Sequence, residues 1–136
     1  MNILYPVFAL FALTIAVALR LGYLRYTAVA QRLVDPAFFQ AYEGDEPARL
    51  RIASRHLVNL LELPVLFYVG CLLAFITQQT GAAVITLAWV YVGLRLVHTF
   101  IHLGPNVVLW RFRVFIISVV VLVALWATLF LGLVLR

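Results

Sequence analysis

Four long apolar stretches alternate with short polar breaks, and that alternation sets the expected architecture. Residues 3–24 are apolar almost throughout, with Pro6 near the start, where a missing amide costs least, and Arg20 and Arg25 at the far end. Between 26 and 47 the chain turns polar through Gln31, Arg32, Asp35, Pro36, Gln40, Glu43, Gly44, Asp45 and Glu46. This pattern predicts an ordered loop with one short helix. Asp45 or Glu46 ahead of Pro47 suits the start of the next helix. A second apolar stretch, 48–77, is longer than a bilayer needs, so its first turns are expected to project into the headgroup region. Gln78, Gln79, Thr80 and Gly81 make an uncharged turn, and a third stretch runs over 82–103. Gly104, Pro105 and Asn106 break it, and a fourth covers 107–135. At roughly 20 residues per crossing, four spans consume nearly the whole chain. The expectation is a single all-α domain, a four-transmembrane-helix bundle with no extramembrane domain.

Composition strengthens this reading: 66% of residues are hydrophobic and only 11% are charged, and the mean hydropathy is +1.11. Such a chain lies outside the soluble globular range. The apolar N-terminal stretch lacks a basic region ahead of it and is long enough to span, which predicts a retained helix instead of a cleaved signal peptide. The formal charge is +5 and all ten basic residues are Arg. Arg20, Arg25, Arg32, Arg49, Arg51 and Arg55 surround the first connection, and Arg111 and Arg113 follow the third. Basic residues gathered at connections, not spread over a solvated face, exclude a nucleic-acid binder. The positive-inside rule then places the first and third connections in the cytoplasm and both termini outside it. A compact chain without Lys or a retention signal points to a bacterial inner membrane. The single Cys71 permits no intrachain disulfide and reads as a buried, inert thiol.

Polar groups inside the spans carry the chemistry. Arg55, Asn59 and Glu62, at spacings of four and three, share one helical face ahead of Pro64. Charged side chains are expensive in a membrane helix, and the simplest account of an Arg/Glu pair on one face is an internal ion pair. Span three places Arg95, His98 and His102 on one face by the same spacing, and span four opens with Arg111 and Arg113. Several Arg and one nearby carboxylate exceed what internal pairing needs, so the missing partner is expected to be an anionic ligand bearing carboxylates or phosphates. His98 and His102 could chelate a metal or serve only packing. Zinc would want a further ligand, and a bis-His haem would need His56 and His98 to meet by a coincidence of depth. No metal is expected, and His56 reads as an interfacial side chain. Arg113, Arg20 and Arg25 read first as snorkelling anchors. Tyr23, Tyr26, Trp89, Tyr91 and Trp110 form an aromatic belt, with Tyr26 also a candidate ligand contact.

These residues resemble the pattern of the MAPEG family, the membrane-associated proteins in eicosanoid and glutathione metabolism. The resemblance covers nearly the whole chain. It rests on four spans, a long basic first connection, Arg55-x-x-x-Asn59-x-x-Glu62 followed by Pro64, Arg95-x-x-His98, and Arg111 opening span four. It implies a homotrimer of four-helix subunits with glutathione, a cosubstrate, bound between neighbouring subunits near the cytoplasmic face. Arg55 would hold a glutathione carboxylate, Asn59 the peptide and Glu62 the amino group. His98 and His102 would hold the ligand from its other side. Arg111 matches the family's Arg that lowers the thiol pKa, and so carries the catalytic assignment. Arg95, Arg113, Arg25 and Tyr26 complete the expected glutathione-binding set.

The resemblance thus implies a glutathione-dependent membrane transferase or peroxidase acting on lipophilic small-molecule electrophiles that arrive through the membrane lipids. The chain departs from several catalytic relatives in three places. Phe112, Arg113, Val114 and Phe115 stand where those relatives carry a Tyr, His replaces Tyr on span three, and Glu62 lies one residue nearer to its Pro than in some relatives. A non-catalytic glutathione- or lipid-binding scaffold of the same fold is the alternative expectation.

Overall fold

The computed structural model describes residues 2–135. It contains α1 (Leu4–Ala30), α2 (Phe38–Ala41), α3 (Ala48–Leu61), α4 (Leu63–Ile76), α5 (Ala82–Leu103) and α6 (Val108–Val134). No strand occurs among the described residues. Four helical units are long and apolar enough to cross a membrane: α1, the α3–α4 pair, α5 and α6. The chain is a multi-pass integral membrane protein.

The first span continues to Ala30, beyond the expected 24, because Ala28 and Ala30 favour helix, no Gly or Pro interrupts the segment, and Ala28 is buried on the inner face. It stops where Arg32 turns left-handed (φ 56°). There the amide of Leu33 donates to the Ala28 carbonyl at 2.9 Å and that of Arg32 to Val29 at 2.9 Å, a Schellman closure. This reversal brings Val34 against Leu21, Ala28, Leu50 and Ala53 in one of the two core clusters. Gln78 (φ 57°) closes α4 in the same way, with Gln79 N–H on the Ala74 carbonyl at 2.8 Å.

The second span is two helices instead of one. Glu62 departs from helical geometry (φ −87°, ψ −92°), and Pro64 occupies the first turn of α4. Proline there has no amide for the Leu60 carbonyl and crowds the preceding turn, so the helix breaks just before it.

Spans two and three lie at the centre of the bundle: α1 packs on α3, α4 and α5, and α6 packs on α4 and α5, while α1 and α6 do not touch. In lipid, burying apolar surface does not by itself draw helices together, so close approach at small residues matters more. Gly70 supplies one such approach between α4 and α6: a Cβ there would meet Leu125 Cδ2 at 3.0 Å. One turn away Trp126 Nε1 donates to the Leu66 carbonyl at 3.1 Å. The larger apolar cluster centres on Leu10, Phe67, Cys71, Ala88, Tyr91, Val92 and Leu125. Along α5, this cluster ends at Val92 and the smaller one begins at Leu103. Between them, Arg95, His98, Thr99 and His102 are all buried.

Candidate functional site

That buried polar layer is built by α3 and α5. His56 is 0% exposed. Its Nδ1 lies 3.0 Å from His102 Nδ1, and its Nε2 lies 2.9 Å from Thr99 Oγ1. Thr99 donates its single hydroxyl proton to the Arg95 carbonyl at 2.8 Å, the usual back-bond of a helical Thr. Its oxygen can then only accept, so His56 carries its proton on Nε2 and turns a bare Nδ1 lone pair toward His102. His98 completes the group, with ring centroids 5.5 Å from His56 and 5.6 Å from His102. Its Nδ1 is buried and has no hydrogen-bond partner.

Arg95, 0% exposed, ties this layer to the break in span two. Its Nη2 donates to the Asn59 carbonyl at 2.9 Å, a carbonyl that lies at the end of α3 where regular helical donors run out. The rest of the guanidinium is not satisfied: Nε and Nη1 are buried without partners. The rings of Tyr91 and Phe115 flank it, with centroids 5.7 Å and 5.9 Å from Cζ.

The Arg55, Asn59 and Glu62 stripe faces the other way. Arg55 and Glu62 are exposed and Asn59 is half-buried. The internal ion pair that their spacing suggests does not form: the one salt bridge among the described residues joins Arg51 Nε to Glu46 Oε1 at 3.5 Å. Beside the stripe, Asn59, His98, Val108, Arg111, Phe112 and Phe115 line an open cavity of about 220 Å³. Arg111 is held there by Asn106, whose Oδ1 accepts from Nη1 at 2.7 Å. Asn106 does more than break a helix, the only role its sequence suggests. It sits left-handed (φ 49°), with its amide on the Ile101 carbonyl at 2.7 Å. A second cavity, of about 390 Å³, lies on the far side of the polar layer and is lined by His102, Arg20, Arg49, Ile52, Ala53, Leu103 and Gly104.

Asn59, His98 and Arg111 are thus brought together, with Arg95 directly behind them and Arg55 and Glu62 along the same face of span two. The others lie apart within the chain. Arg113 stacks its guanidinium on Trp110, 5.4 Å from the ring centroid. Arg25 sits over Phe39 and Tyr42 at 5.6 and 5.8 Å, and Tyr26 is 74% exposed. His102 opens onto the second cavity instead of the first.

His56 corrects the reading of that residue as an interfacial side chain, since it is buried and bonded on both ring nitrogens. The signal was present in the spacing of Leu50, Ala53 and Leu60, the other buried residues of α3. That periodicity defines an inner face that includes position 56 and excludes position 55. Polarity alone concealed it.

The comparisons with known proteins agree with this arrangement at the level of family. No curated protein and no solved structure shows a significant match. The model of the MAPEG family matches residues 3–131, a range that takes in the first three spans with the broken second helix, all but the last three residues of the fourth, and every residue around the two cavities. The chain belongs to the MAPEG family.

Proposed function

We propose that the protein is a glutathione-dependent membrane transferase or peroxidase that acts on lipophilic electrophiles, with glutathione bound between the subunits of a homotrimer near the cytoplasmic face. The observation that carries this reading is the outward stripe. Arg55 and Glu62 are exposed on the span whose Asn59 lines the cavity with Arg111, and they form no ion pair with each other. Opposite charges set two helical turns apart fit a ligand with a carboxylate at one end and an ammonium at the other. Such a face would be hard to leave against lipid, and a neighbouring subunit would cover it. The cavity of about 220 Å³ is smaller than the roughly 300–1,000 Å³ usual for ligand sites, which fits a half-site completed by a second wall.

In this reading Arg55 holds a glutathione carboxylate, Asn59 the peptide, Glu62 the amino group, and His98 the opposite side. His102, Arg95, Arg113, Arg25 and Tyr26 contribute from the surrounding layer or from the adjoining subunit. Arg111 faces the thiol. A guanidinium there stabilises thiolate over thiol, and the thiolate attacks an electrophile that enters from the bilayer; no covalent enzyme intermediate is needed.

The non-catalytic alternative is favoured by one observation: Phe112 and Phe115 line the cavity where several catalytic relatives carry a hydroxyl. Purified protein separates the two. Conjugation of a generic aryl halide together with a glutathione-induced rise in Tm supports the enzyme, and stabilisation without turnover supports the binder. Arg55→Ala and Glu62→Ala should abolish binding. Arg111→Ala should spare binding and raise the pKa of the bound thiol; an unchanged thiol titration would overturn the role given to Arg111.

A further inference from the structure

The glutathione reading uses the outward stripe and leaves the buried histidines without a task. Three imidazoles from two helices meet in the polar layer, and each offers one nitrogen within 4.8 Å of the others. A tetrahedral zinc site, with Zn–N near 2.0–2.1 Å, holds its nitrogens about 3.4 Å apart, so the widest separation would close by only about 1.4 Å. His56 Nδ1 and His102 Nδ1 are already 3.0 Å apart.

Two further observations point to a ligand. The His98 Nδ1 is buried and unpartnered in a ring only 3% exposed, and a polar atom left bare in a low-dielectric layer is costly unless something fills the site. His56 also has the supporting partner that metal-binding histidines use. Its Nε2–H is anchored on Thr99 Oγ1 at 2.9 Å, which fixes the tautomer and leaves the Nδ1 lone pair turned toward His102, where a metal ion would replace the 3.0 Å contact between the two Nδ1 atoms.

We infer that His56, His98 and His102 form a three-nitrogen site for a borderline divalent transition-metal ion of the Zn²⁺ or Co²⁺ class. Imidazole suits these ions, and three protein ligands leave a fourth position open. No carboxylate lies in the layer, whereas Arg95 lies in it and Arg111 lines the adjoining cavity, so the dication needs an anion in that fourth position. The cavity lined by His98, Asn59 and Arg111 is where that anion would sit. The site rests on the chain's own imidazoles and does not depend on glutathione being the ligand of that cavity.

Protein purified without a polyhistidine tag, stripped with chelator and titrated with Co²⁺, tests this directly. One Co²⁺ per chain should bind with the intense visible absorption of a tetrahedral centre, and Zn²⁺ should displace it. His56→Ala, His98→Ala and His102→Ala should each weaken binding by more than about a hundredfold, and Thr99→Val, which removes only the partner that orients His56, by about ten- to a hundredfold. Should an Ala variant fail to fold, X-ray absorption at the Zn edge of the native protein reads the ligands without mutation, and three imidazoles are expected. Absence of stoichiometric Co²⁺ binding, an octahedral spectrum, or equal affinity in His98→Ala would overturn the inference. Glutathione binding without metal binding would refute this site alone, and metal binding without glutathione binding would refute the proposed function alone.

Discussion

Replacing Thr99 with Val isolates the hydrogen bond that orients the histidine layer, because the two side chains have nearly the same shape and differ in one hydroxyl. The loss falls on His56. Its Nε2–H, 2.9 Å from Thr99 Oγ1, would face a methyl group in a site that is 0% exposed. Stranding a buried neutral donor costs about 1–3 kcal/mol. The second bond of Thr99, to the Arg95 carbonyl, adds little, because that carbonyl sits within α5 and keeps its helical amide partner. A loss of about 1–3 kcal/mol raises the unfolded-to-folded ratio by a factor of about 5 to 150. At about 3 °C per kcal/mol, Tm should fall by about 3–9 °C. The measurement is intrinsic tryptophan fluorescence of detergent-purified protein during heating, with Thr99→Ser beside it. Ser keeps the acceptor and loses a methyl, so it should sit closer to the native protein than Val does. A Val variant as stable as the native protein, or a Ser variant less stable than Val, would refute the hydrogen-bond assignment and with it the Nε2–H tautomer of His56.

Other outcomes follow from the packing. Gly70→Val should lower Tm by an amount matching about 1–3 kcal/mol, because its Cβ alone would crowd Leu125 Cδ2 at 3.0 Å and Trp126 Nε1 at 3.3 Å; an unchanged Tm would mean that α4 and α6 do not pack through this residue. Glu46→Gln should change Tm by less than about 1 kcal/mol equivalent, since its Arg51 partner is 48% exposed and surface pairs contribute little. Cys71, 0% exposed, should resist maleimide labelling in the folded protein and react on denaturation; fast labelling of native protein would contradict its burial. Pro64→Ala should restore a continuous span two and weaken glutathione-dependent stabilisation, because the break at Glu62 sets the direction of the stripe and frees the Asn59 carbonyl for Arg95. Undiminished stabilisation would show that the break is not needed for binding.

Much of the fold was legible because a membrane restricts backbone so severely. A span must satisfy its amides internally, so long apolar stretches imply helices, and Gly, Pro and Asn between them mark the turns. The four spans follow from that alone. Their ends were less legible: α1 runs on to Ala30, since the headgroup region tolerates polar helical turns that hydropathy counts as loop. The split of span two at Glu62 was foreshadowed by Pro64, yet its use as an acceptor for Arg95 depends on where α5 passes.

The sequence by itself determined which residues are polar within the spans and which of them share a helical face, because spacing of three and four is a property of a single helix. It therefore grouped Arg55 with Asn59 and Glu62, and Arg95 with His98 and His102. Only the tertiary structure decided which faces meet. His56 turned inward to join the α5 histidines, Arg55 and Glu62 turned outward without pairing, and His98 and His102 opened onto different cavities. Helical periodicity fixes relative angles around one axis. Rotation of one helix against another is set by packing at residues such as Gly70 and by the breaks at Glu62 and Asn106, which no single-helix pattern contains.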